Sequence, residues 1–309
     1  GLHQMQARKY GAGIMTLARG LQLEPDNIPA RLVMGDLYVR SGYLYKGMQL
    51  LRDGIPYAGG KRRYLDACFR LATYLEDYDV VLGMVDETAA SLGPGDVVTQ
   101  RYLRDQRAGA LIKLGRNQEV IDLWQQSHNN PSLALNAAWA RALAALGRAD
   151  EAIAAVEKKP DDYGVLGEPW HLLMELARQG HRPAVGREAA DKLVALDPGD
   201  YHYQVERVVY LAGNNDDKAM EAAVNDFYLR FGLNDAARVT LLKELEPSAT
   251  PAVLAAVWSH VMAMGRIAVL AMRAEDQALD DAGFPDHAVL QSGRAGVACG
   301  SSFGATEPV

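Results

Sequence analysis

The stretches RAGALIKLG (107–115), WARALAALG (139–147) and WHLLMELARQG (170–180) are three versions of one helix. Leu111 and Leu143 stand four residues before the closing glycine, and the third copy reads Trp170-x2-Leu173-x3-Ala177-x2-Gly180. Ala108 and Ala140 supply small residues, and each stretch closes on a glycine. Those glycines fall at 115, 147 and 180, a period of about 33 residues. After each comes a second helical stretch whose core positions are four apart: Val120 and Trp124, Ala152 and Val156, Gly186 and Ala190. A helix pair of this length cannot bury its own apolar stripe, so neighbouring pairs must stack. The expected fold is therefore all-α, a solenoid of stacked helix pairs.

Working outward, full units begin near residues 28, 63, 101, 133, 167 and 201, with turns near 42, 77, 115, 147, 180 and 215. A partial unit around Gly13, Leu17 and Gly20 precedes them, and a last amphipathic helix covers roughly 234 to 246. The solenoid is expected over residues 1–247. Residues 248–309 form a second segment, with a helix followed by a strand-prone tail.

Composition agrees with a helical array: 309 residues are 49% hydrophobic, and alanine-rich stretches such as Ala137 to Leu146 favour helix. The net charge of −7 falls after residue 199, and the first 199 residues balance. With no basic stripe, nucleic acid is not expected as a partner. Ser248 to Gly265 has no formally charged side chain, but Pro251, Ser259 and His260 interrupt it, so it reads as a buried or docking helix. No membrane span is expected in this chain. The two cysteines, Cys68 and Cys299, make neither a C-x-x-C pair nor a disulfide framework. A cytoplasmic location is the expectation. The chain opens with Gly1, and an upstream signal or anchor would make a periplasmic or membrane-tethered protein the alternative.

The repeat resembles the tetratricopeptide (TPR) family, whose unit is about 34 residues long. Met34-Gly35-x2-Tyr38 matches the first helix of that pattern, and Trp170-x2-Leu173 matches its opening. The closing proline stands in Leu23-Glu24-Pro25-Asp26, Leu92-Gly93-Pro94-Gly95-Asp96 and Leu196-Asp197-Pro198-Gly199-Asp200, where proline stops one pair and aspartate caps the next. Gly13, Gly20, Gly47 and Gly54 replace the alanine of the pattern, an expected loss of about 1 kcal/mol per exposed helical site. The resemblance covers about 245 residues. It implies a scaffold, of bacterial type, that binds a partner peptide or helix on the concave face.

By register, that face carries Leu32, Asp36, Val39 and Arg40; Tyr102, Asp105, Ile112 and Lys113; Arg141; His171, Glu175 and Arg178; and His202, Val205 and Val209. The family's clamp for a terminal carboxylate uses Lys and Asn where Leu32 and Asp36 stand here, so a partner bound by side-chain pockets is expected instead.

The last segment has a second resemblance. Ala278-Leu279-x-Asp281-Ala282-Gly283, followed by Arg294-x-Gly296-Val297 and Gly300-Ser301-x2-Gly304, is similar to the N-terminal region of β-ketoacyl synthases. The match spans 264–308 and stops before the family's nucleophilic cysteine and two histidines. Cys299 falls in the early strand, with no histidine after it, and reads as a packing residue. A truncated or fused piece of such a condensing enzyme, inactive alone, is the alternative reading of the chain.

Other chemistry is thinly represented. His171 and Glu175 lie four apart on one helix face without a second ligand pair. Gly296-x3-Gly300-x3-Gly304 lacks the Lys and Ser/Thr of a phosphate loop, and no G-x-S-x-G or H-E-x-x-H occurs. Lys61-Arg62-Arg63 reads as a solvated helix start. No catalytic residue, metal site or cofactor is expected, and the chain is expected not to be an enzyme.

Overall fold

A computed structural model describes residues 2–92, 95–127, 130–214, 216–232 and 234–245. Fifteen α-helices occur among them: α1 (Leu2–Leu23), α2 (Ile28–Arg40), α3 (Leu44–Arg52), α4 (Ile55–Ala58), α5 (Arg62–Tyr74), α6 (Tyr78–Ser91), α7 (Val97–Lys113), α8 (Asn117–Gln125), α9 (Leu133–Ala145), α10 (Ala149–Lys158), α11 (Glu168–Gln179), α12 (Pro183–Leu196), α13 (Tyr201–Gly213), α14 (Asp217–Phe231) and α15 (Asp235–Leu245). A single 3₁₀ turn, Pro160–Asp162, follows α10. No strand occurs among the described residues. The expected boundary at 247, Cys299 and the synthase-like motifs all lie outside the described residues.

The described residues fall into two compact units, divided between Gly164 and Val165. In the first, α2/α3, α5/α6, α7/α8 and α9/α10 are antiparallel pairs, and α1 packs on α2. In the second, α11/α12 and α13/α14 are the pairs, and α15 packs on α13. The expected helix starts and turns are recovered, with the third full unit starting at Val97 rather than near 101. Asp96 sets that start by accepting a hydrogen bond from the Thr99 backbone N–H at 3.0 Å.

The turns share one bonding pattern. The backbone N–H groups of Tyr43, Asp77, Arg116, Arg148 and Arg182 donate to the carbonyls of Tyr38, Ala72, Leu111, Leu143 and Ala177, each five residues earlier. This is the Schellman closure, which needs a left-handed residue just before the donor. Gly42, Gly115 and Gly147 supply it with φ of 80°, 70° and 80°. In the remaining two turns Glu76 and His181 adopt φ of 54°. The residue equivalent to Gly115 and Gly147 is therefore His181. Gly180, one position earlier, has φ of −84°.

Small residues serve helix crossings. A β-carbon on Gly47 would lie 3.3 Å from both the Gly35 carbonyl oxygen and Tyr38 Cβ, so glycine lets α3 lie close against α2. Gly54 precedes α4 rather than sitting inside a helix, and a β-carbon there would overlap the Tyr64 hydroxyl and come within 2.6 Å of Arg31 Cδ. That hydroxyl donates to the Leu51 carbonyl at 2.6 Å. The expected loosening at Gly47 and Gly54 is thus replaced by a packing requirement. A β-carbon on Gly20 would meet nothing within 4 Å, so the helix-propensity argument stands there.

In α9, Ala138, Ala140, Ala142 and Ala144 are all buried, as is Leu143. Fully burying a leucine such as Leu143 or Leu172 stabilises by about 2–3 kcal/mol. Trp124 and Trp139 stack with centroids 4.7 Å apart, and Trp124 Nε1 donates to Asn136 Oδ1 at 2.7 Å. Trp170 is half-buried and lies under the Lys192 ammonium, 4.9 Å from its ring centre.

Candidate functional site

Residues spaced i, i+3/i+4, i+7 on a helix share one face, and the first helices α11 and α13 of the second unit each turn such a stripe into a common cleft. This cleft measures about 430 Å³. From α11 come His171, Met174, Glu175 and Arg178; from α13, His202, Val205, Glu206, Val209 and Tyr210; from α15, Thr240 and Glu244. All the residues that register assigned to this part of the chain meet here: His171, Glu175, Arg178, His202, Val205 and Val209.

The cleft contains an ion pair, with His171 Nδ1 2.7 Å from Glu206 Oε2. The Glu206 hydrogen bond holds the His171 pKa above its usual value of 6.5, opposed by burial and helped by the charges of Glu206 and Glu168. The Arg178 guanidinium lies 5.7 Å from the centre of the Tyr210 ring. Tyr210 is 1% exposed, and burial raises its phenol pKa. Both charge signs and an apolar floor of Met174, Val205 and Val209 therefore share one concavity.

The first unit holds a larger cleft, about 720 Å³, between α2 and α5. Leu32, Asp36, Val39 and Arg40 line it, as register implied, with Asp36 and Arg40 paired at 2.7 Å. Arg63, Ala67, Arg70 and Tyr74 of α5 form the facing wall, and Leu51 and Leu71 close the floor.

The other candidates lie outside both clefts. Tyr102 is 7% exposed and donates from its hydroxyl to Asp66 Oδ1 at 2.6 Å, while the Arg62 guanidinium covers its ring at 3.3 Å. Asp105 accepts a hydrogen bond from Ser132 Oγ, and Ser132 Oγ in turn accepts from the Leu135 backbone N–H to cap α9. Burial pushes the Asp105 carboxyl up from its usual range. These two side chains therefore join α7 to α5 and to α9. Lys113 is exposed at the end of α7, Ile112 is half-buried beside it, and Arg141 is half-buried in α9.

Residues that sequence reasoning missed are Arg63, Arg70, Tyr74, Met174, Glu206, Tyr210, Thr240 and Glu244. Most were within reach of the same periodicity: Glu206 is four beyond His202, and Arg63, Ala67, Arg70 and Tyr74 step along one face of α5.

Among the described residues no group of three or more His, Cys, Asp and Glu side chains is placed to hold a metal ion. No described helix is long and apolar enough to cross a membrane. No protein-family model matches the chain, and no curated protein matches it. Among solved structures it is similar to a chain in a structure of Naa15/Naa10 bound to HypK-THB, at 12% identity and a TM-score of 0.35. That alignment covers 92% of this chain and 54% of the other, so this chain spans about half of its length. The helix pairing described above rests on this chain's own residues.

Proposed function

We propose that the chain is a non-catalytic scaffold that holds a peptide or helix of a partner protein in the clefts between its first helices. The observation that supports this reading best is the convergence in the second unit. Six side chains of both charge signs and of apolar character, spaced one helical turn apart on α11 and α13, line one cleft. Helix-in-groove recognition uses such anchors at i, i+3/i+4 and i+7, with pockets giving specificity and rim charges steering the encounter.

The test is affinity capture of partners by the full chain, comparing Arg178→Glu and His202→Asp with Lys113→Glu, which lies outside both clefts. The reading expects the two cleft changes to remove the same captured proteins and Lys113→Glu to retain them. Equal capture by all three would contradict it. Absence of condensing activity is part of the proposal. Incubation with acyl and malonyl thioesters of carrier protein should leave Cys299 unacylated by mass spectrometry, and stable acylation lost in Cys299→Ser would overturn it.

A further inference from the structure

We infer that the α2/α5 cleft of the first unit docks an acidic amphipathic segment of a partner protein, whose side-chain carboxylates are read by Arg63 and Arg70. The inference rests on the scaffold reading and names the chemistry of one of its ligands.

The charge of this cleft is not balanced from within. Its lining holds three arginines, Arg40, Arg63 and Arg70, and one carboxylate, Asp36. Asp36 is committed to Arg40 at 2.7 Å. The nearest acid on α5, Asp66, is committed elsewhere: Arg62 Nε donates to its Oδ1 at 2.9 Å, and the Tyr102 hydroxyl donates to the same oxygen at 2.6 Å. Arg70 Nε donates to the Asp66 backbone carbonyl at 3.2 Å, and its charge acts on the Asp66 carboxylate without forming an ion pair with it. Among the described residues no carboxylate pairs with Arg63 or Arg70, and both side chains are exposed. Two guanidiniums thus face the cleft with a formal surplus of +2, in a chain whose net charge is −7.

Spacing and floor define the occupant further. Arg63 and Arg70 are seven residues apart on one helix, hence about 10.5 Å along its axis. Carboxylates seven apart on a docked helix have the same separation, and each can accept a forked pair of N–H groups from arginine. The rest of the lining is largely apolar, with Leu32 and Val39 on α2, Ala67 on α5 and a floor of Leu51 and Leu71, and Tyr74 is 73% exposed one turn beyond Arg70. That floor rewards apolar side chains on the same face as the carboxylates, which a nucleic-acid backbone does not offer. The ligand read here carries internal carboxylates, so a free chain terminus is not required.

The test is fluorescence anisotropy with the full chain and a labelled helical peptide of about 16 residues. The peptide is acetylated and amidated, with leucines on one face and two glutamates seven apart beside them. Gln and Lys counterparts and a single-stranded oligonucleotide serve as comparisons. The expected result is at least about tenfold tighter binding of the Glu peptide than of its Gln counterpart, weakening as salt rises. In Arg63→Glu/Arg70→Glu the preference should pass to the Lys peptide, a gain that misfolding cannot produce. Equal binding of the Glu and Gln peptides, preference for the oligonucleotide, or no change of preference in the double variant overturns the inference. If the Gln or Lys peptide binds the wild-type cleft instead, the scaffold reading stands and only the acidic chemistry fails. If no peptide binds at all, this inference fails, while the capture experiment on the second unit decides the scaffold reading separately.

Discussion

His171 Nδ1 and Glu206 Oε2, 2.7 Å apart, tie the first helix of one pair to the first helix of the next inside the second unit's cleft. The glutamate raises the histidine's pKa above 6.5, and Glu168 adds to the shift while burial opposes it. A group whose folded pKa is raised lends stability that is fully present below its unfolded pKa and is lost as pH rises through the folded value. The pair should therefore stabilise the second unit on the acid side of about 6.5 and contribute progressively less above the raised value. The melting-temperature gap between wild type and Glu206→Gln should be wider near pH 6 than near pH 8.5, by a modest amount because the pair is partly exposed. A gap independent of pH would show that the contact is not ionic. By NMR, His171 should titrate above its ordinary value in the wild type and move back toward it in Glu206→Gln.

Alanine should act in opposite directions at two helical glycines. Gly109, on the exposed side of α7, has nothing within 4 Å of where a β-carbon would sit, so Gly109→Ala should stabilise by about 0.5–1 kcal/mol through helix propensity. Gly186, in α12, lies against the buried Tyr210 ring, whose Cε2 would be 2.8 Å from a new β-carbon and whose hydroxyl would overlap it. Gly186→Ala should destabilise by about 1–3 kcal/mol, as overpacking does. Urea unfolding measures both, and a stabilised Gly186→Ala would mean that Tyr210 moves aside freely.

How much of this was legible in the sequence depends on the physics behind each feature. Apolar periodicity and turn residues located the helix pairs, because both are local and repeat with every unit. The alignment of turns at Gly180 was off by one. A histidine in the left-handed conformation carries no sequence signal, whereas the glycine beside it does. Gly54 was read through helix propensity, although the approach of Tyr64 governs it, and that contact spans ten residues. In the clefts, register supplied Asp36, Arg40, His171, Glu175, Arg178 and His202. It was not extended to α5, so Arg63 and Arg70 were passed over. Tyr102 and Asp105 fall on the assigned face, yet they are used between helices, which only packing reveals.

Cys68 should behave as an inert core thiol. It is 1% exposed in α5, and burial pushes its pKa up to about 12. In a Cys299→Ser background, maleimide labelling at neutral pH should be slow in the folded protein and fast in denaturant. The native rate should then report opening of the first unit. Labelling at the rate of a free thiol in the native state would contradict the packing around Phe69 and Leu65.

We propose that the clefts between first helices are where this chain meets its partner. The most direct measurement places a photo-crosslinking amino acid at Val209, half-buried in the second unit's cleft, and in a separate variant at Val98, which is 78% exposed on α7 and outside both clefts. Irradiation in an extract of the source cells, followed by mass spectrometry, identifies what each position touches. A discrete protein adduct is expected at Val209, lost when Arg178→Glu is added, and no discrete adduct at Val98. A discrete adduct at Val98 with none at Val209 would contradict it.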